Sequence, residues 1–175
     1  MSHHMQIATM AIKCQYDYSI TMLHEIIGAC PNELWTETKD SFPFWQQIYH
    51  ALYWTDYNIQ ESHGGEKIFC RKNEMNISHE LNKEALDSSE YLTKDEMNHY
   101  IQAIIEKKDR FFSNLTDKIL FEPIPYRQDG ITYFDIITNQ IRHIMYHVGH
   151  CDCILRINGL LVKAWLSIYG EYERQ

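Results

Sequence analysis

Apolar residues recur at spacings of three and four along most of this chain, and no run of alternating apolar and polar residues is long. A period near 3.6 is that of a helix with one buried face. Four segments carry it. The first spans about Ala11 to Gly28, with Ile12, Tyr16, Ile20, Leu23, Ile26 and Ile27 on its inner side; Gly28 and then Pro31 end it. Asn32–Trp35 adds a helical turn. The second runs from about Pro43 to Ile59 along a seam of Trp45, Ile48 and Leu52, capped by Asp40 or Ser41, with Pro43 in a first turn that tolerates it. The third runs from about Lys94 to Leu115: Thr93 is its N-cap, acids fill its first turn, and Met97, Ile101, Ile104, Ile105 and Phe112 face inward. The fourth runs from about Ile131 to Asn158, entered through Gln128-Asp129-Gly130 and stopped by Asn158-Gly159.

The intervening stretches read differently. Phe121–Tyr126 is extended, because Pro123, Pro125 and the residues before them resist helix. Glu106–Arg110 reads as a solvated charged face. Gln60 to Leu92 is polar and long for a structureless loop, so it holds a short helix or a small hairpin around Lys67-Ile68-Phe69 and could cover a pocket. The tail Leu160–Tyr169 is apolar enough to dock on the helices or at a subunit interface. With no repeat and no boundary, residues 1–175 read as a single domain, its core at about 11–158 and a docking tail at 159–175. The expected fold class is all-α, a four-helix bundle with a site between the second and fourth helices.

Composition narrows the function. A chain of 175 residues suits one sizeable core. A formal charge of -8 argues against nucleic acid as a partner, since phosphate binding needs a basic patch. No run reaches the apolar length of a membrane span, and the polar Met1–Met5 start is no signal peptide. Five scattered cysteines without a Cys-x-x-Cys are expected to be reduced thiols of a cytoplasmic protein. Cys151 reads as core, at the edge of any pocket near the fourth helix.

The chemistry-bearing stretch is Gln140-Ile141-Arg142-His143-Ile144-Met145-Tyr146-His147-Val148-Gly149-His150. Residues four apart share a helix face, so His143 and His147 lie together, with His150 two turns from His143 on a stripe that includes Ile136, Gln140 and Ile154. Buried imidazoles need partners, and a divalent ion is one. His143 and His150 are about 10 Å apart along the axis, too far to share an ion with bonds of about 2 Å. The pair is therefore His143 with His147, the preferred i,i+4 choice, or His147 with His150. No Glu follows the first His, so this is not the zinc-protease arrangement. Facing helices of a bundle aim side chains at one point, which makes His50 the candidate third ligand. It lies on a stripe with Gln46, Tyr53, Trp54 and Tyr57. Three neutral imidazoles leave an ion with open positions, as in catalytic rather than structural sites. Gln140 is the first choice to orient a ligand, with Tyr146, Tyr53, Tyr57 and His150 as further neighbours. His24 and His99 read as exposed or core-edge residues.

Four stretches in this order resemble the DinB-like (DNA-damage-inducible) superfamily of metal-binding four-helix bundles: Leu34-Trp35; Phe42-Pro43-Phe44-Trp45-Gln46-Gln47-Ile48-Tyr49-His50; Leu92-Thr93-Lys94-Asp95-Glu96; and His143-Ile144-Met145-Tyr146-His147-Val148-Gly149-His150, which is similar to the family's His-x-x-x-His-x-Gly-Gln. The likeness covers about residues 10 to 157. It departs at His150, where the family often has Gln, and this keeps the His147/His150 pair in play.

The resemblance implies a divalent ion on His50, His143 and His147, with Zn²⁺ and Ni²⁺ the leading choices. It also implies a homodimer and a low-molecular-weight thiol as co-substrate. The expected function is metal-dependent activation of a thiol or water towards a small electrophilic substrate, as in a thiol transferase or hydrolase. The alternative is a non-catalytic metal- or small-ligand-binding bundle of the stress-response kind. Arg142 and Arg156 are candidates to hold a carboxylate of the thiol.

Overall fold

The structure is a computed structural model describing residues 6–37, 42–60, 71–72, 75–76, 80–81, 90–161 and 165–173. These are mostly helical. Four long helices dominate: α1 (Ile7–Ala29), α3 (Phe44–Asn58), α4 (Lys94–Ser113) and α6 (Tyr133–Ile157). Two short ones, α2 (Asn32–Trp35) and α5 (Asp117–Phe121), lie between them. Two antiparallel pairs complete the order: β1 (Arg71–Lys72) with β2 (Met75–Asn76), and β3 (Trp165–Leu166) with β4 (Tyr172–Glu173). The short helix or small hairpin expected around Lys67-Ile68-Phe69 falls outside the described residues.

α6 packs along both α1 and α3, and α4 packs along the same two helices. The core between them is built from Ile20, Leu23 and Ile27 of α1, Ile48 and Leu52 of α3, Met97, Ile101 and Ile104 of α4, and Ile144, Cys151 and Leu155 of α6, all fully or almost fully buried. Burying a side chain of this size stabilises the fold by roughly 1.5–3 kcal/mol.

Helix ends follow from local chemistry. α4 and α6 each begin with a capping box. The Thr93 hydroxyl accepts from the Glu96 N–H, and the Glu96 carboxylate accepts from the Thr93 N–H; Thr132 and Asp135 repeat the arrangement. α6 ends at Gly159, whose φ of 75° lets its N–H reach Arg156 O while Leu160 N–H reaches Leu155 O. The extended connector also forms: Pro123 bridges to Thr132, and Ile124 N–H donates to Ile131 O at 2.9 Å, which pins the start of α6.

α1 starts four residues earlier than its own sequence suggests. Gln6 offers no side-chain cap. Asp117 of α5 supplies one instead: its carboxylate accepts from the Thr9 N–H at 2.9 Å, the Thr9 hydroxyl at 2.8 Å and the Ala8 N–H at 3.3 Å. These bonds hold the Asp117 carboxyl below its ordinary pKa, with the Thr9 N–H the largest cause.

The charged run on α4 is a correction. Glu106, Asp109 and Arg110 are exposed, but Lys107 and Lys108 are buried. Lys107 Nζ sits 2.5 Å from Asp56 Oδ1 and 2.9 Å from Asp56 O, deep between α4 and α3. Lys108 pairs with Asp17 of α1 and with Asp109. Both lysines continue the inward stripe of Ile101 and Ile104, so their helical position places them inside and carboxylates from two other helices compensate the charge.

The tail docks in part. β3 packs on α1, and Leu166 and Ser167 are buried, whereas Leu161, Ile168 and Tyr169 are exposed. No helix among the described residues is long and apolar enough to cross a membrane.

Candidate metal centre

The inward face of α6 is set by Ile137, Ile144, Val148, Cys151 and Leu155, the residues that fill the core. Gln140 and His147 share that face. Ile136, His143, His150 and Ile154 fall at its border and are half-buried. The buried face is thus turned by about one residue from the stripe expected around His143 and His150, because the aliphatic residues claim the interior. His147 is the histidine taken inside, at 2% exposure.

α3 brings up the third imidazole. His50 is half-buried, and its ring centroid lies 5.1 Å from that of His143 and 5.0 Å from that of His147; the two α6 rings are 4.8 Å apart. One ring nitrogen from each of the three lies within 4.8 Å of the others. The tightest edge is His143 Nε2 to His147 Nε2, at 3.2 Å. Two nitrogens bound to a tetrahedral ion at about 2.0–2.1 Å are separated by about 3.3–3.4 Å. The α6 pair is close to that spacing, and the His50 nitrogen lies within 4.8 Å of both. The group of three is all imidazole, a donor set that suits Zn²⁺, Ni²⁺, Fe and Cu better than Mg²⁺ or Ca²⁺.

Protonation favours the same use. Burial lowers the pKa of His143 to about 4, with His50 the further cause. Burial lowers that of His147 to about 3, helped by His143, His50 and His150. At neutral pH both rings are neutral, the state in which a ring nitrogen has a lone pair to donate. His147 Nδ1–H donates to Gln47 Oε1 at 2.9 Å, which leaves Nε2 bare and facing His143.

The remaining candidates are spread around this point. Gln140 is buried on α6, and its Oε1 has no hydrogen-bond partner among the described residues. His150 stacks edge-on to Tyr146 at 6.5 Å and stands outside the group of three. Tyr53 is half-buried beside Trp54, which meets both His50 and Tyr57 edge-on. Tyr57 is partly exposed and Tyr146 is well exposed. Cys151 is wholly buried one turn beyond His147, and burial pushes its thiol pKa up. His24, His99 and Arg142 are exposed, and Arg156 is exposed and pairs with Asp152 at 2.7 Å. Gln47 was not among the residues singled out in the sequence. Its signal was there: it stands three residues before His50, on the same side of α3.

No protein-family model, curated protein or solved structure matches this chain.

Proposed function

We propose that the chain is a DinB-like four-helix bundle whose His50, His143 and His147 hold a divalent ion, Zn²⁺ or Ni²⁺ foremost, and that it acts on a small electrophilic substrate with a thiol or water as nucleophile. The observation that carries this reading is the convergence of three imidazoles from two helices, with an edge of 3.2 Å between the α6 pair. An ion held there supplies a Lewis acid, which lowers the proton affinity of a small thiol or water brought to it. The chain's own part is to hold three neutral nitrogens at one point. His147 is anchored in the core, and His143 and His50 are half-buried at its border. Trp54 against His50, with Tyr53 and Tyr57 next to it, offers an aromatic wall for a small organic substrate.

The test is the metal content of tag-free protein purified without nickel resin, read by elemental mass spectrometry beside His50→Ala and His143→Ala. About one ion per chain is expected in the wild type, and loss of most of it in either variant. A wild type that takes up neither zinc nor nickel on dialysis overturns the reading. Metal without turnover of any thiol and electrophile pair leaves a binding bundle and removes the enzymatic half.

A further inference from the structure

We propose that Gln47 is the positioning residue of the histidine site: by accepting the His147 Nδ1 proton it fixes that ring's tautomer and plane, so that Nε2 presents its lone pair to the point shared with His143 and His50. The inference rests on the reading of the three histidines as metal ligands.

Three observations support it. Gln47 and His147 are both nearly fully buried, so water does not substitute for their 2.9 Å bond. Gln47 stands one helical turn before His50, so the same face of α3 provides a ligand and a brace for the ligand opposite. The direction of the bond is dictated by chemistry. An amide carbonyl oxygen only accepts, so Nδ1 must carry the hydrogen and Nε2 must be free of it. A His147 with the opposite tautomer would point an N–H at His143 and could not donate Nε2 to an ion.

The brace is an amide, not a carboxylate, and this has a consequence. A carboxylate partner makes the imidazole more basic and adds a negative charge near the ion. The neutral Gln47 orients the ring without adding charge, which leaves a bound ion the stronger Lewis acid. Affinity and electrophilicity thus oppose each other at this position.

The experiment is zinc affinity by competition against a chromophoric chelator, for wild type, Gln47→Leu and Gln47→Glu, joined to ¹⁵N NMR of the imidazoles in the zinc-free wild type. Gln47→Leu is expected to weaken zinc 10- to 100-fold, the range for loss of such a partner. Gln47→Glu is expected to bind zinc at least as tightly as wild type. His147 is expected as the Nδ1–H tautomer. Gln47→Leu binding within twofold of wild type overturns the proposal, as does a tenfold loss in Gln47→Glu or an Nε2–H tautomer in the wild type. If Gln47→Leu does not fold, the Glu variant and the wild-type NMR still decide. Failure of the wild type to bind zinc at all is a different result: it removes the metal site itself and the proposal with it.

Discussion

Replacing Lys107 by Met is expected to be among the most damaging single changes outside the hydrophobic core. Asp56 has no exposed surface and Lys107 is 8% exposed. With Lys107 gone, the remaining donor near the carboxylate among the described residues is the Tyr100 hydroxyl, 3.4 Å from Oδ2, at the far limit of a hydrogen bond. Removing one partner of a buried pair costs about 3–5 kcal/mol, because the other charge stays buried and unpaired. The bond from Nζ to Asp56 O at 2.9 Å is lost as well, for roughly another 1 kcal/mol. We expect about 4 kcal/mol or more, a large share of the roughly 5–15 kcal/mol by which such domains are stable. The exposed pair of Lys118 and Glu122, at 3.5 Å, is the internal comparison; Lys118→Met is expected to cost no more than about 0.5 kcal/mol.

Urea unfolding followed by circular dichroism, with zinc fixed in all samples, gives both numbers. The double variant Asp56→Leu/Lys107→Met is expected to recover most of the loss, since two apolar residues replace the pair without leaving a charge. Two results refute the reasoning. One is Lys107→Met within 1 kcal/mol of wild type at an unchanged denaturant slope, which would mean that water or another donor reaches Asp56. The other is a double variant as unstable as the single one, which would mean that lost packing, and not the orphaned charge, is responsible.

Zinc-free protein is expected to lose stability as pH falls below about 6.5. His143 and His147 have folded pKa values of about 4 and 3, below their unfolded value, so the unfolded chain binds more protons between these limits and acid favours it. The urea midpoint at pH 7.5, 6 and 5 reads this before most carboxylates titrate; a flat profile there, or one unchanged in His147→Leu, contradicts the burial argument. Gly159→Ala is expected to cost roughly 1–2 kcal/mol, because φ there is 75° and a β-carbon disfavours that region. A thermal melt shows it, and an unchanged melting temperature would mean that α6 ends in some other way.

The four long helices were legible because their signal is local. Apolar residues three and four apart, Thr93 before two acids, and Asn158-Gly159 after the last periodic residue each act within a turn or two of where they stand. The start of α1 was not legible for the opposite reason: its cap is Asp117, more than a hundred residues away. Lys107 and Lys108 show a different failure. Their spacing from Ile101 and Ile104 placed them on the inner stripe, and their charge argued them out of it; the carboxylates that reconcile spacing with charge, Asp56 for Lys107 and Asp17 for Lys108, sit on other helices.

The histidine site divides along the same line. The i,i+4 relation of His143 and His147 is a property of one helix and could be read directly. Which side of α6 turns inward depended on how aliphatic Ile137, Ile144, Val148 and Leu155 weigh against the imidazoles, and the aliphatics prevailed. That rotation takes His147 into the core and leaves His143 and His150 at its border, so it also settles which ring needs a buried brace. A ring at the border can satisfy its second nitrogen with water. His147 cannot, and a glutamine on the facing helix is the least costly answer that leaves the site uncharged. Gln47 was therefore implied by the packing of α6 against α3, a long-range fact, although its own place one turn before His50 was in plain view.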